Sequence, residues 1–135
     1  MSLAELKGDV VILAAGISAG IHGALVPGHF DEGTGAGLGF VAATVALAGL
    51  VVWLTWRPAS ASALAAAAVT FAGLLGTYVL ATTTGLPVLH PGPEPLDGLA
   101  LVTKAIEATG LLAATSLLWR PRIAATLHQP KGTLT

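Results

Sequence analysis

Apolar residues fall in four long stretches separated by short polar, turn-forming segments. The first spans about Val10 to Val26 and ends at Pro27; the second spans about Leu38 to Trp56 and ends at Arg57-Pro58. The third spans about Ser62 to Thr84 and ends at Gly85-Leu86-Pro87, and the fourth spans about Leu96 to Trp119 and ends at Arg120-Pro121-Arg122. Each is near the ~20 residues an α-helix needs to cross a hydrocarbon core. Proline and glycine at the ends are helix-stop signals. The pattern therefore predicts an all-α chain with membrane-crossing helices over residues 10–26, 38–56, 62–84 and 96–119. Short connections make an up-down integral membrane four-helix bundle the expected architecture. One domain covers 1–135, with a polar tail over 123–135.

Lys7 at the head of the first stretch is flanked by Glu5 and Asp9. That is a poor positively charged start for a cleaved leader, so the stretch is read as a retained span.

Composition supports lipid as the solvent. The chain is 54% hydrophobic and 10% charged, against about 25% charged in an average soluble domain. The net charge of −1 carries no polyanion signal, so nucleic acid is not an expected partner. There is no cysteine, which excludes disulfides, thiolate metal sites, iron–sulfur ligation and cysteine nucleophiles.

Charge position sets the expected orientation. With four crossings, Lys7, Arg57, Arg120, Arg122 and Lys131 fall on one side, and Asp31, Glu32, Glu94 and Asp97 on the other. The positive-inside rule then places both termini in the cytoplasm, in a multi-pass plasma (inner) membrane protein. Trp53, Trp56 and Trp119 fall at the same cytoplasmic ends, where an aromatic belt belongs.

Small residues recur at four-residue spacing: Gly16 with Gly20 and Ala19 with Gly23 in the first span, and the run Ala65 to Ala68 with Gly73 and Gly76 in the third. Such stripes let helix backbones approach closely in lipid. They suit packing within the bundle or an interface in a homo-oligomer or a larger membrane complex.

Several polar residues inside the spans call for a reason. Lys104 and Glu107 sit roughly 12 and 16 Å below Leu96 at ~1.5 Å per residue. Their i,i+3 spacing puts them side by side on one helix face. An unpaired charge at that depth costs several kcal/mol. The two are read either as a buried pair fixing helix register or as a proton-relay or ligand-anchoring site. Ser18 and His22 share a face of the first span. The third span carries Thr70, Thr77 and Tyr78, which either satisfy helix backbones or line a polar stripe with His22 and Glu107.

His22, His29 and Glu32 from the first hairpin, and His90, Glu94 and Asp97 from the second, gather on the expected outer side. Imidazole and carboxylate together suit Zn, Cu or Fe without cysteine. The metal-ligand candidates are His22, His29, Glu32, His90 and Asp97, with Glu107 as a further donor. His22 and His29 share a face only if the helix continues through Pro27, and no H-E-x-x-H or H-x-x-x-H motif is present. The run Leu86 to Pro95 carries four prolines and reads as a stiff outer loop over the bundle mouth.

The set Ile21-His22-Gly23, Pro27-x-His29-Phe30-x-Glu32, Gly39-Phe40, Thr84-Gly85-Leu86-Pro87, Glu94, Asp97 and Glu107 resembles a group of small four-span membrane proteins of actinobacterial type. The resemblance covers most of the chain. It implies the four-helix arrangement and a bacterial plasma membrane, and it transfers no catalytic role.

Three functions follow as expectations. The first is binding or handling of a transition metal at the outward His/carboxylate site. The second is a structural or accessory role in a larger membrane complex. The third is binding or carriage of a proton or a lipophilic ligand, such as a quinone or haem, through Lys104 and Glu107, with Ser18 and Tyr78 as neighbouring polar groups. No nucleophile–base motif is visible, so an enzyme is not favoured.

Overall fold

The computed structural model describes residues 1–58, 60–87 and 92–127, with side chains as far as Trp119. Four helices account for most of the described residues: α1 (Leu3–Glu32), α2 (Thr34–Trp56), α3 (Ala61–Thr83) and α4 (Gly98–Leu127). All four are long and apolar enough to cross a membrane, which makes the chain a multi-pass membrane protein by build.

The starts carry local signals. Ser2 caps α1 in a capping box, its hydroxyl accepting from the Glu5 amide while the Glu5 carboxylate accepts from the Ser2 amide. Ser60 caps α3 through the Ala63 amide at 3.3 Å. Asp97 caps α4, its Oδ1 accepting from the Ala100 amide at 2.8 Å. Each cap supplies one of the acceptors that the first turn of a helix lacks.

Two predicted helix ends are corrected. α1 does not stop at Pro27 but runs on to Glu32, and α4 does not stop at Arg120-Pro121-Arg122 but runs on to Leu127. A proline removes one backbone donor and crowds the carbonyl four residues earlier. Membrane helices tolerate this where neighbours hold the turn together. In α1 the following turns are well held. The His29 ring donates from Nδ1 to the Leu25 carbonyl at 2.9 Å. It also stacks on Phe40 of α2 with ring centroids 3.5 Å apart. Phe30 lies against Gly37, where any side chain would overlap its ring. The expected first loop therefore shrinks to Gly33 between two helices. α2 and α3 begin at Thr34 and Ala61 rather than Leu38 and Ser62, and α4 begins at Gly98 rather than Leu96.

Helix directions follow from cross-contacts. Positions of rising number in α1 meet falling ones in α2, since Gly16 faces Val51 and Gly23 faces Thr44. α1 and α4 likewise run antiparallel, through Ala14 against Gly110 and Ser18 against Glu107. So do α3 and α4, through Phe71 against Gly110 and Tyr78 against Lys104. The result is an up-down bundle. We call the end where α1 begins proximal and the end holding the α1–α2 turn distal.

Packing differs between the two ends. The core of Val11, Ala14, Ala15, Leu47, Leu50, Leu54, Ala63, Ala67, Phe71 and Ala114 fills the proximal half. Small side chains dominate it, as expected where helices associate by close approach. Large apolar side chains point outward instead, Leu13, Val45, Val69 and Leu112 among them. That arrangement suits a lipid solvent rather than water. α1 packs along the lengths of α2 and α4, whereas α2 and α3 touch little. The side chains they bring to the common core, Leu47, Leu50 and Leu54 of α2 and Ala63, Leu64, Ala67 and Phe71 of α3, all lie in their proximal halves.

Candidate functional site

The distal half of the bundle encloses a cavity of about 810 Å³. Its side walls are Ala42, Ala43 and Ala46 of α2 facing Val69, Thr70 and Gly73 of α3. Of these, Ala42, Ala46, Val69 and Gly73 are exposed, so the cavity opens sideways through the gap between α2 and α3. Small side chains on both helices create that gap; at Gly73 an added Cβ would meet no atom within 4 Å.

A charged network lies at its floor. Glu107 is completely buried. Its Oε1 accepts from the Ser18 hydroxyl at 2.7 Å and its Oε2 accepts from Lys104 Nζ at 2.7 Å. His22 Nε2 stands 4.0 Å from the same Oε1. Both carboxylate oxygens are thus engaged, and the buried charge is neutralised by a cation one helical turn away. Charge-assisted bonds of this length are the strong ones. They offset a desolvation cost that would otherwise forbid an anion at this depth.

The tautomer of His22 follows from geometry. Its Nδ1 lies 2.9 Å from the Ser18 carbonyl, an atom that can only accept. Nδ1 therefore carries hydrogen and donates. In the neutral ring Nε2 is then a bare acceptor. His29 repeats the arrangement one heptad on through the Leu25 carbonyl. Both rings line the cavity, so the continuation of α1 through Pro27 places the two histidines on one face.

Tyr78 and Lys104 form the opposite wall. Lys104 Nζ lies 5.5 Å from the centroid of the Tyr78 ring, within the range of a cation–π contact. The Tyr78 hydroxyl is buried and has no hydrogen-bond partner. An unsatisfied buried hydroxyl costs roughly 1–3 kcal/mol.

The residues expected from the sequence thus divide. Ser18, His22, Lys104 and Glu107 come together as one network joining α1 and α4, with Tyr78 beside it. His29 and Glu32 stand at the distal mouth with His29 Nε2 and Glu32 Oε2 4.0 Å apart. Asp97 also lines the mouth, but its Oδ1 is occupied by the cap of α4. His90 lies outside the described residues. Among the described residues no three of histidine, aspartate or glutamate gather closely enough to hold one metal ion.

The polar residues of α3 serve mostly as local backbone partners at its distal end, where Thr82, Thr83 and Thr84 return their hydroxyls to preceding carbonyls. Thr70 and Thr77 line the cavity. Phe40 was not legible as a site residue. It stacks on His29 and lies 5.3 Å from the His22 ring centroid, yet one aromatic in an apolar helix carries no motif. In the sequence it stands out only in the Gly39-Phe40 pair of the resemblance, with no role attached.

Comparison of the chain with protein-family models, with curated proteins and with solved structures finds no match.

Proposed function

We propose that this protein binds and carries a lipophilic ligand, held in the distal cavity above the Lys104–Glu107 pair. One observation carries the reading: a cavity of about 810 Å³ has mostly apolar side walls on α2 and α3, an opening between those two apolar helices, a neutralised charged network beneath it and ionisable groups at its mouth. That volume falls within the ~300–1,000 Å³ usual for small-molecule sites. A few convergent polar groups in an apolar cavity are the expected pattern for orienting such a ligand.

The positive-inside rule and the exposed Trp56 and Trp119 at the proximal end favour cytoplasmic termini and a cavity toward the outer leaflet. The resemblance to small actinobacterial four-span proteins favours a bacterial plasma membrane.

Gly73 supplies the test. It lines the cavity and has open space around it, so Gly73→Phe should fill the cavity without disturbing the core. Purified wild-type protein should release a stoichiometric lipophilic compound on organic extraction, read by mass spectrometry. Gly73→Phe should release at least tenfold less while melting at the same temperature. Equal yields from the two proteins would sink the proposal.

The metal reading rests on the His29–Glu32 pair and needs further donors from the second hairpin. Stoichiometric metal in the purified protein, lost in His29→Ala, would favour it over a lipid. An accessory role would show as a stable larger assembly on gentle extraction from the membrane.

A further inference from the structure

We infer that the cavity's ligand is a neutral lipid whose head carries a hydroxyl group, and that this hydroxyl donates its hydrogen to Nε2 of His22. This rests on the reading of the cavity as a lipid site and names its chemical class.

An unmet acceptor leads to it. His22 is 6% exposed, and both hydrogen-bond contacts of its ring run through Nδ1. Nδ1 is held as a donor to the Ser18 carbonyl, so in the neutral ring Nε2 can only accept. It faces Glu107 Oε1 at 4.0 Å, which also only accepts and already takes the Ser18 hydroxyl. Two acceptors thus stand opposed with no hydrogen between them. The cavity can supply a donor. His22 borders it, and with Nδ1 turned back to its own helix, the ring edge carrying Nε2 is turned away from α1. The Tyr78 hydroxyl is sealed in the wall and takes no part. A hydrocarbon ligand would leave Nε2 unpaired, and a carbonyl or ether oxygen would bring a third acceptor to the same place. A hydroxyl brings the missing hydrogen, which gives selectivity for ligands that carry one. His29 has the same tautomer, but the Glu32 side chain it faces is 49% exposed, so water can serve that pair.

Charge decides between a hydroxyl and an ionic donor. The ionisable groups around His22 are His29 and Glu32 on α1, Lys104 and Glu107 on α4, and Tyr78 on α3; α2 carries none. Lys104 and Glu107 cancel, and neutral His22 and His29 add nothing, so the floor holds no net charge. An ammonium or a carboxylate brought to Nε2 would give up its water without gaining a counterion of its own. An ammonium would also stand beside Lys104. A carboxylic acid could pass its proton to His22, but its carboxylate would then share one imidazolium with Glu107 where screening is poor. At the mouth, Glu32, Glu94 and Asp97 line the cavity; these three acids outnumber the two histidines even with both protonated, and so oppose an entering anion. A neutral hydroxyl meets none of these costs, and the gap between α2 and α3 admits its tail.

The test compares three probes of equal tail length, dodecanol, its methyl ether and dodecanoate, titrated into protein in neutral-lipid nanodiscs and read by native mass spectrometry. The alcohol should bind at least about fivefold more tightly than either of the others. Nitrogen NMR of labelled histidine should show the His22 Nε2 signal moving with the alcohol and staying in place with the ether. His22→Phe identifies that signal and should bring the alcohol-to-ether ratio close to one. As acid protonates His22, followed on the same signal in the wild type, the ratio should fall in step, because the imidazolium no longer accepts. Equal binding of alcohol and ether, tighter binding of the carboxylate, or a His22 signal unmoved by bound alcohol overturns the assignment of class. If Gly73→Phe still blocks the probes that bind in that case, the cavity remains the binding site. If no probe binds the wild type at all, the cavity reading falls with it.

Discussion

Glu107→Leu should destabilise the protein by about 3–5 kcal/mol, the usual cost of removing one partner of a buried ion pair. The carboxylate is wholly buried and bonded on both oxygens. Its loss strands the Lys104 ammonium inside the bundle and leaves the Ser18 hydroxyl without its acceptor. Lys104→Met with Glu107→Leu should restore most of that stability, because an apolar pair of similar volume is often as good as a buried ion pair. Reversible unfolding in mixed micelles would measure all three proteins. A single variant as stable as the wild type would show that the pair contributes nothing to the fold. The double variant also separates the two roles open for the pair from sequence. A register-fixing pair predicts a stable protein that still binds ligand; an anchoring pair predicts a stable protein that does not.

The second large effect belongs to Gly110. A Cβ there would sit 2.6 Å from the Phe71 ring and 2.9 Å from the Ala14 Cβ, both in the proximal core. Three helices meet at that point, and none can move without opening the others. Gly110→Ala should gain up to ~1 kcal/mol in helix propensity yet lose more to overpacking, which typically costs about 1–3 kcal/mol. Gly110→Leu should exceed that and abolish a cooperative melt. Phe71→Leu should rescue Gly110→Ala in part, a coupling expected only for residues in contact. Gly73→Ala, in open space, is the control and should be neutral or mildly stabilising. Thermal melts in detergent would rank the series, and a Gly110→Ala variant more stable than the wild type would refute the close approach.

The four helices were legible because hydrophobic length is a property of each segment alone. The Lys104–Glu107 pair was legible for a similar reason, since i,i+3 spacing settles proximity within one helix. Partners across helices were not. Nothing in the chain links Ser18 to Glu107 until α1 and α4 are set antiparallel, and Phe40 gains a role only once it faces His29. Pro27 misled because its local cost is real but smaller than the packing of His29 and Phe30 beyond it. Asp97 is visible as an acidic group, and its place just before Gly98 and an apolar run is a helix-cap signal, which the bond to the Ala100 amide bears out.

The division of the bundle into a packed proximal half and a hollow distal half has a consequence for how the molecule holds together. Cooperative stability collects where contacts are dense, and here they are dense from Val11 to Ala19, Leu47 to Leu54, Ala63 to Phe71 and around Ala113. The proximal half thus acts as a clasp, like the joined end of a pair of tongs. The distal ends of α2 and α3 lie outside that dense region, so local opening is expected there before the clasp yields. On the proposed lipid-binding reading, a ligand would enter and leave through that local opening without the fold crossing its unfolding barrier.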